Sequence, residues 1–463
     1  MESQNEYIGF VGCYTKAGQA DPFEGSHGGV PHDRSKIGTG VLAIAVNASS
    51  GSLSFLNDGE PIIKADELPN PSYLCILERD SNSSASNNSS SSSSSRPAAL
   101  RNGGLCIVSE LEKGTFHSYA VCRDKTTMKI TAKSAGTPLD TGGSYPCHII
   151  SADVGSDAEC ILVCNYGEEE GALSAFAATT ADPSSESRSK DEDDDSQKYY
   201  YTRQICIPFG PGSNADPERQ QSSHAHSACI VTPPFPYSMM DLCCADLGSD
   251  AIVQYSVNTT VSITDSSTST LQCIEKRRLA APPGSGPRSL MFNPTIHNIA
   301  IVSLEMTAQV WLIQRLKDGS FEGCGDPISI LPEQWPDDDE ESAKEKKQFN
   351  GGRWASDAVW SPDGKYVYAA ARLHNSISVF KYIVESGSGG GRLELVQRVP
   401  TEGLTPRCLC MSECGKCLLV AHQHSHDISS FRREEGDGTI VFADRLEVPN
   451  AACVKLVRPE LIG

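Results

Sequence analysis

The sequence is short of positive charge. It sets 39 Lys and Arg against 59 Asp and Glu, a net charge of −20 over 463 residues. Nucleic acid and anionic lipid both demand a basic face, so neither partner is expected. Long apolar runs are missing too. Stretches such as Cys417–Ala421 fall far short of the ~18 residues that a spanning helix needs. The first residues, Met1-Glu-Ser-Gln-Asn-Glu6, carry no basic flank and no apolar core of a secretory leader, which sets a cytoplasmic expectation. No Gly-x-x-x-x-Gly-Lys loop and no Gly-x-Gly-x-x-Gly fingerprint is present, which argues against nucleotide chemistry. The absence of a Gly-x-Ser-x-Gly elbow argues against a serine esterase.

Cysteine, by contrast, is plentiful. Eighteen residues make about 4% of the chain, below the ~8–10% of a disulfide scaffold, and without a leader reduced thiols are the default. Cys408, Cys410, Cys414 and Cys417 cluster, but they contain a single Cys-x-x-Cys, and a zinc site of that kind needs a second. Buried strand thiols are expected, with no metal and no cofactor.

One phrase recurs. Its clearest copy is Ala355-Ser-Asp-Ala-Val-Trp-Ser-Pro-Asp-Gly-Lys-Tyr-Val-Tyr-Ala-Ala-Ala-Arg372, followed by Asn375-Ser-Ile-Ser-Val-Phe380. It reads as strand, Pro-Asp-Gly turn, strand, short turn, strand. Further copies start at Thr405-Pro-Arg407, Gly286-Pro-Arg288, His224-Ala-His226, Tyr145-Pro-Cys147 and Asn70-Pro-Ser72. In the copy at Thr405, Cys414 takes the turn place of Asp363 and Cys417 the strand place of Tyr366. The seventh copy is split. Asn450–Leu456 suits a first strand, Tyr7–Thr15 a second, Gly40–Ala45 a third and Ser52–Phe55 a fourth. The expected fold is all-β, a seven-bladed β-propeller closed by pairing of the N- and C-terminal strands. Residues 1–463 then form one domain. Three stretches, 81–102, 181–200 and 331–352, are Ser/Asn-rich or acidic and too poor in apolar residues to offset their ordering entropy. They are expected to be disordered insertions.

In each blade the second strand runs antiparallel to the first, so second-strand ends meet first-strand starts at one mouth of the central channel. The ends are Tyr14, Glu110, Asn165, Asp246, Glu305, Arg372 and Gln423 beside His422; the starts are His148, His224, His226, Arg288, Asp357 and Arg407. Convergent ionisable groups in a concave site mark the default functional hypothesis. Structural readings stand beside it. Asp246 before Leu247-Gly248 suits a turn cap, Arg407 can pair with Asp357, and His148 suits an inner-strand position. Arg219 lies in a loop, and His224 and His226 alternate by two and would share a face.

At these residues the chain resembles the seven-bladed propeller lactonases, a family that includes propeller-type 6-phosphogluconolactonases and carboxymuconate-lactonizing enzymes. The resemblance is carried by Pro217-Glu-Arg-Gln220 with His224-Ala-His-Ser227, Gly286-Pro-Arg288, Glu305, Ser361–Tyr368 with Arg372, and Thr405-Pro-Arg407. Leu304 and Ala371 depart from it, standing where the family pattern has Asn. The resemblance implies a catalytic set of His226, Glu305, Arg288 and Arg372. His224, Arg219, Arg407, Asp246, Asp357, Asn165 and Glu110 are the further expected substrate contacts. It implies a small anionic lactone as partner, 6-phospho-D-glucono-1,5-lactone for preference. His226 or Glu305 would activate water, and arginines would grip the oxyanion and an anionic substituent. The alternatives are a non-catalytic interaction platform, which a broken ionisable ring would favour, and a muconate-type cycloisomerase using the same mouth.

Overall fold

The computed structural model describes residues 5–15, 37–78, 100, 103–153, 159–167, 171–179, 200–231, 240–261, 269–335, 353–385 and 390–462. They form seven antiparallel sheets of four or five strands. Numbered along the chain, the innermost strands of blades 1 to 6 are Pro71–Leu77, Pro146–Asp153, Ala225–Val231, Pro287–Phe292, Ala355–Trp360 and Pro406–Met411. Blade 7 closes the ring. Its innermost strand is Ala451–Val457, which pairs with Glu6–Cys13 from the other end of the chain, Ile8 opposite Val457 and Cys13 opposite Ala451. Gly40–Asn47 and Leu53–Phe55 continue that sheet outward. The split repeat is therefore one blade built from both ends. Among the described residues there is no α-helix; 3₁₀ turns stand at Asn57–Gly59 and Pro459–Leu461.

The strand composition follows from position. Second strands such as Gly104–Ser109, Ile299–Leu304, Tyr366–Ala371 and Cys417–His422 are buried throughout, because a blade covers each face. Their sequences accordingly read as continuous apolar runs. The outer strand Gly391–Pro400 is largely solvated. The apolar core consists of layers between neighbouring sheets, for example Phe116, Ile149 and Phe176 between blades 1 and 2, and Tyr368, Leu418 and Phe431 between blades 5 and 6. Side chains also cross these seams. Trp360 donates its indole N–H to the Met291 carbonyl at 3.1 Å, and Tyr368 its hydroxyl to Gly438 at 2.8 Å.

The repeated turn is a physical unit. Gly364 adopts φ of +68° and donates to Ser361 O at 2.9 Å; Gly415 adopts +72° and donates to Ser412 O at 2.8 Å. Ser361 Oγ donates to Asp363 at 2.5 Å, and Ser412 Oγ meets the Cys414 thiol at 3.4 Å in the same place. Cys414 thus holds the turn position of an aspartate, and Cys417 opens the next strand. All eighteen cysteines are free thiols.

Most of the three expected insertions lies outside the described residues. Within their bounds Leu100 is fully buried, Tyr200 opens the outer strand Tyr200–Pro208 of blade 2, and Leu331 is buried beside Ile330 in the layer between blades 4 and 5.

Candidate active site

Each of the seven innermost strands carries one residue too many near its start. Pro71 and Tyr73 face consecutive residues of the second strand, leaving Ser72 unpaired. Cys147, His226, Arg288, Arg407 and Ala452 are skipped in the same way in their blades, and in blade 5 the extra residue falls within Ser356-Asp357. These are β-bulges, which re-aim a side chain that regular pleating would turn elsewhere. Four follow a proline at the first strand position, where no ladder hydrogen bond is lost. Except for Ser72, the blades' bulges all contribute lining to one central cavity of about 450 Å³. Bulges of six blades thus supply much of the chemistry of the channel.

Beside this ring stands Glu305, just past the second strand Ile299–Leu304 of blade 4. Its backbone N–H donates to Gly286 O at 2.8 Å, and its carbonyl accepts from Ala355 N at 2.9 Å, fixing it between blades 4 and 5. Its carboxylate is 2% exposed and faces three guanidinium groups. Arg219 Nη2 lies 2.9 Å from Oε1, while Arg288 Nε and Arg372 Nη1 lie 2.8 and 3.8 Å from Oε2. Burial alone would raise this carboxyl, but Arg219, Arg372 and Arg288 outweigh it and hold Glu305 well below the usual carboxylate range. Three guanidinium groups thus gather around one buried carboxylate.

His226 is half-buried and faces the cavity from the bulge of blade 3. Burial and then the Arg288 charge push its imidazole well below its ordinary value, against the pull of Glu305. It is neutral at neutral pH and can accept a proton. Cys147 Sγ lies 3.8 Å from its Nδ1, and burial holds that thiol protonated. The bulge also breaks the expected alternation. His224 stacks flat on the Tyr166 ring, centroids 4.2 Å apart, with Nδ1 3.0 Å from the Tyr166 carbonyl, while His226 meets the edge of the same ring.

The other expected residues fall into four groups. Arg219, from the loop before blade 3, reaches the site directly: besides Glu305 it donates to Tyr166 OH at 3.1 Å and packs over Trp354. Arg407 pairs with Glu110 at 3.2 Å rather than with Asp357, and Tyr14 OH donates to the same Glu110 oxygen at 2.7 Å. Asp246 and Asn165 are fully buried in the wall. Asp246 accepts from the backbone N–H groups of His224, Gly248 and Ser249 and from the Ser249 hydroxyl, so it closes a turn. Asn165 donates to Ser174 Oγ at 3.0 Å.

Asp357 belongs to a second ring of contacts that stitches neighbouring innermost strands. It accepts from Leu409 N at 3.1 Å, His148 Nδ1 accepts from Ala228 N at 3.4 Å, and Ser289 Oγ accepts from Ala358 N at 3.2 Å. In blade 7 Lys455 donates to Tyr73 OH at 2.8 Å. Lys455, Tyr73, Tyr166 and Trp354 were not singled out by sequence reasoning. Only the bulge register, invisible without pairing partners, locates Lys455 and Tyr73 against the channel, while Tyr166 and Trp354 pack on His224 and Arg219 beside it.

The model of the lactonase seven-bladed β-propeller family matches residues 9–456. The chain belongs to that family. Membership makes it a lactonase by class. A 6-phosphogluconolactonase from Bacillus subtilis is 24% identical over 98% of this chain and 99% of its own length. Another from Formosa agariphila is 24% identical over 88% of this chain and 91% of its own. Among solved structures, the periplasmic gluconolactonase PpgL of Pseudomonas aeruginosa superposes with a TM-score of 0.65 at 20% identity, over 98% of this chain and 99% of the other. That likeness establishes the shared fold. No described helix is long and apolar enough to cross a membrane.

Proposed function

We propose that this lactonase hydrolyses a sugar lactone, 6-phospho-D-glucono-1,5-lactone, to the open acid. The observation that carries the reading is a neutral His226 beside three arginines gathered on one buried carboxylate, at the mouth of a cavity of lactone size. The names of the full-length relatives supply the sugar and its phosphate. The free thiols suit a reducing compartment, in keeping with a cytoplasmic enzyme.

In this reading His226 takes a proton from water as the water oxygen adds to the lactone carbonyl. The carbonyl π electrons move onto its oxygen, and Arg288 and Arg372 stabilise that charge. Collapse breaks the bond from the carbonyl carbon to the ring oxygen, and the protonated His226 returns its proton to that oxygen as it leaves. Glu305 is too strong an acid to serve as the base, since proton-transfer efficiency follows basicity. Its role is to hold Arg219, Arg288 and Arg372 at fixed positions.

The test is a panel of phosphorylated, carboxylated and uncharged lactones assayed at neutral pH, with spontaneous opening subtracted. Fastest turnover of 6-phosphogluconolactone supports the proposal. Ring closure of a muconate without hydrolysis of any sugar lactone overturns it in favour of the cycloisomerase, and inactivity on every compound leaves the platform reading.

A further inference from the structure

Three cationic side chains line the central cavity: Arg288, Arg407 and Lys455. Two already face a carboxylate, Arg288 at 2.8 Å from Glu305 and Arg407 at 3.2 Å from Glu110. Lys455 does not. Among the described residues no carboxylate lies within 4 Å of its ammonium group. Its one hydrogen bond goes to Tyr73 OH at 2.8 Å, and Nζ stands 4.5 Å from the centre of that ring. The ammonium has three donors, so two are left for the cavity. A half-buried ammonium with no carboxylate paired to it is costly to hold. Neighbouring Cys408 and Cys410 do not supply one, because burial raises both thiols and keeps them neutral. Asp357 lines the same cavity and its charge favours the Lys455 ammonium through space, but it makes no ion pair with it within 4 Å, its oxygens accepting from the backbone N–H groups of Leu409 and Ala358.

Lys455 also stands apart from the reacting centre. It lies three residues beyond the bulge residue Ala452 on the innermost strand of blade 7. At a strand rise of ~3.3 Å per residue, that is about 10 Å along the channel from the ring of bulges. The cavity therefore has two positive poles, the arginines at the mouth and one lysine on a lower tier. Apolar Leu290, Val359 and Leu409 also line it. A lactone with a charged group remote from its carbonyl fits this pattern; an uncharged lactone leaves the lower pole unused.

We propose that Lys455, oriented by Tyr73, is the specificity-determining residue that binds the anionic substituent of the lactone, a phosphate monoester or a carboxylate, while the carbonyl reacts at the mouth. This rests on the lactonase reading above. Lys455 is a binding residue, and Tyr73 positions its ammonium through the hydroxyl and the ring face.

The experiment compares Lys455→Met and Tyr73→Phe with the parent enzyme. The substrates are 6-phosphogluconolactone, a carboxylate-bearing muconolactone and uncharged glucono-1,5-lactone. Inorganic phosphate serves as a competitive probe. Met keeps the unbranched apolar stem, one atom shorter, and removes the charge together with the N–H donors. The expected result for Lys455→Met is a loss of roughly 10–100-fold in kcat/KM, the size of one charge-assisted hydrogen bond. It appears on one of the charged lactones, which identifies the substituent, while glucono-1,5-lactone turns over at the parental rate. Inhibition by inorganic phosphate weakens in parallel if the substituent is a phosphate. Tyr73→Phe shows a smaller loss of the same selectivity. An active parent whose preference for charged lactones survives Lys455→Met overturns the Lys455 assignment and leaves the lactonase reading intact. So does an equal loss on all three substrates. A parent inactive on every lactone defeats the lactonase reading. Phosphate binding by calorimetry then decides Lys455 alone: loss of binding in Lys455→Met sustains the anion site, and unchanged binding removes it.

Discussion

At the scale of single residues, Glu305 and His226 differ in what holds them, and substitution should separate them. Glu305 is buried and shared by three arginines. Removing one partner of such a cluster leaves buried charges unpaired, at a cost of ~3–5 kcal/mol. Glu305→Gln should therefore lower the melting midpoint and the rate together. His226 is half-buried, and the contact described at its ring nitrogen is the Cys147 thiol at 3.8 Å. His226→Asn should keep the parental melting curve while lactone hydrolysis falls ~10²–10⁴-fold, the range for loss of an acid–base group. Melting curves and initial rates on the same preparations check both statements. A His226→Asn enzyme with the parental rate would remove the histidine from the chemistry. The candidates at this scale were legible because residue types announce chemistry. Their division into cavity and wall was not. Asp246 and Arg288 are both ionisable groups beside strand ends, yet one closes a turn and the other lines the channel. Nor could order along the chain bring Arg219 from its loop onto Glu305.

At the scale of elements, the turn and the bulge were unequally visible. Ser-Pro-Asp-Gly announces a turn through Gly364, and the structure gives that glycine a second duty. A Cβ there would lie 2.3 Å from Thr295 Oγ1 and 2.5 Å from Asn293 Oδ1, on the neighbouring blade. Asn293 in turn donates to Gly364 O at 2.8 Å. Gly364→Ala combines a disfavoured positive φ with a collision at a blade seam, so a loss of ~1–3 kcal/mol is expected. Gly436, in another surface turn, has open space around its Cα, and Gly436→Ala should be within ~0.5 kcal/mol of the parent. Urea titrations of the two variants test the contrast. The bulges left a weaker trace. Four are preceded by proline, at Pro71, Pro146, Pro287 and Pro406, and in the repeat phrase that proline carries no visible sign of its meaning for register. One unpaired residue shifts every later side chain on the strand to the other face. This is why His224 and His226, two apart, take different surroundings.

At the scale of the whole molecule, the seven-fold repeat and its closure were legible because apolar strand patterns and turn phrases survive at each blade, even where a blade is divided between chain ends. The tight packing has a consequence for pH. His117 is lowered to about 4 and His148 to about 3, in both cases chiefly by burial, and His224 and His226 move in the same direction. The folded protein therefore holds these rings neutral while the unfolded chain protonates them below pH ~6.5. Stability from this source is complete above that value and falls as pH drops toward the folded pKa values, by about 2 kcal/mol each for His117 and His148 at pH 5. The buried carboxyl of Asp246, pushed up by desolvation, works in the opposite sense. Calorimetry between pH 7.5 and 5 should show a falling melting temperature, and a curve flat over that interval would contradict it. Replacing His148 by Gln, which keeps an acceptor toward Ala228, should flatten part of the slope.

The ring of bulges separates two kinds of information carried by one chain. The alternation within each strand specifies how sheets stack. The inserted residue specifies what a solute inside the channel encounters, and it does so outside the ladder of paired positions. Where that residue is not held in an ion pair, as Arg288 and Arg407 are, exchanging it rewrites the interior and leaves the paired positions as they are. Cys147 and Ala452 occupy two of these places with chemically quiet side chains. They are the natural addresses for retargeting the enzyme to a different lactone, one blade at a time.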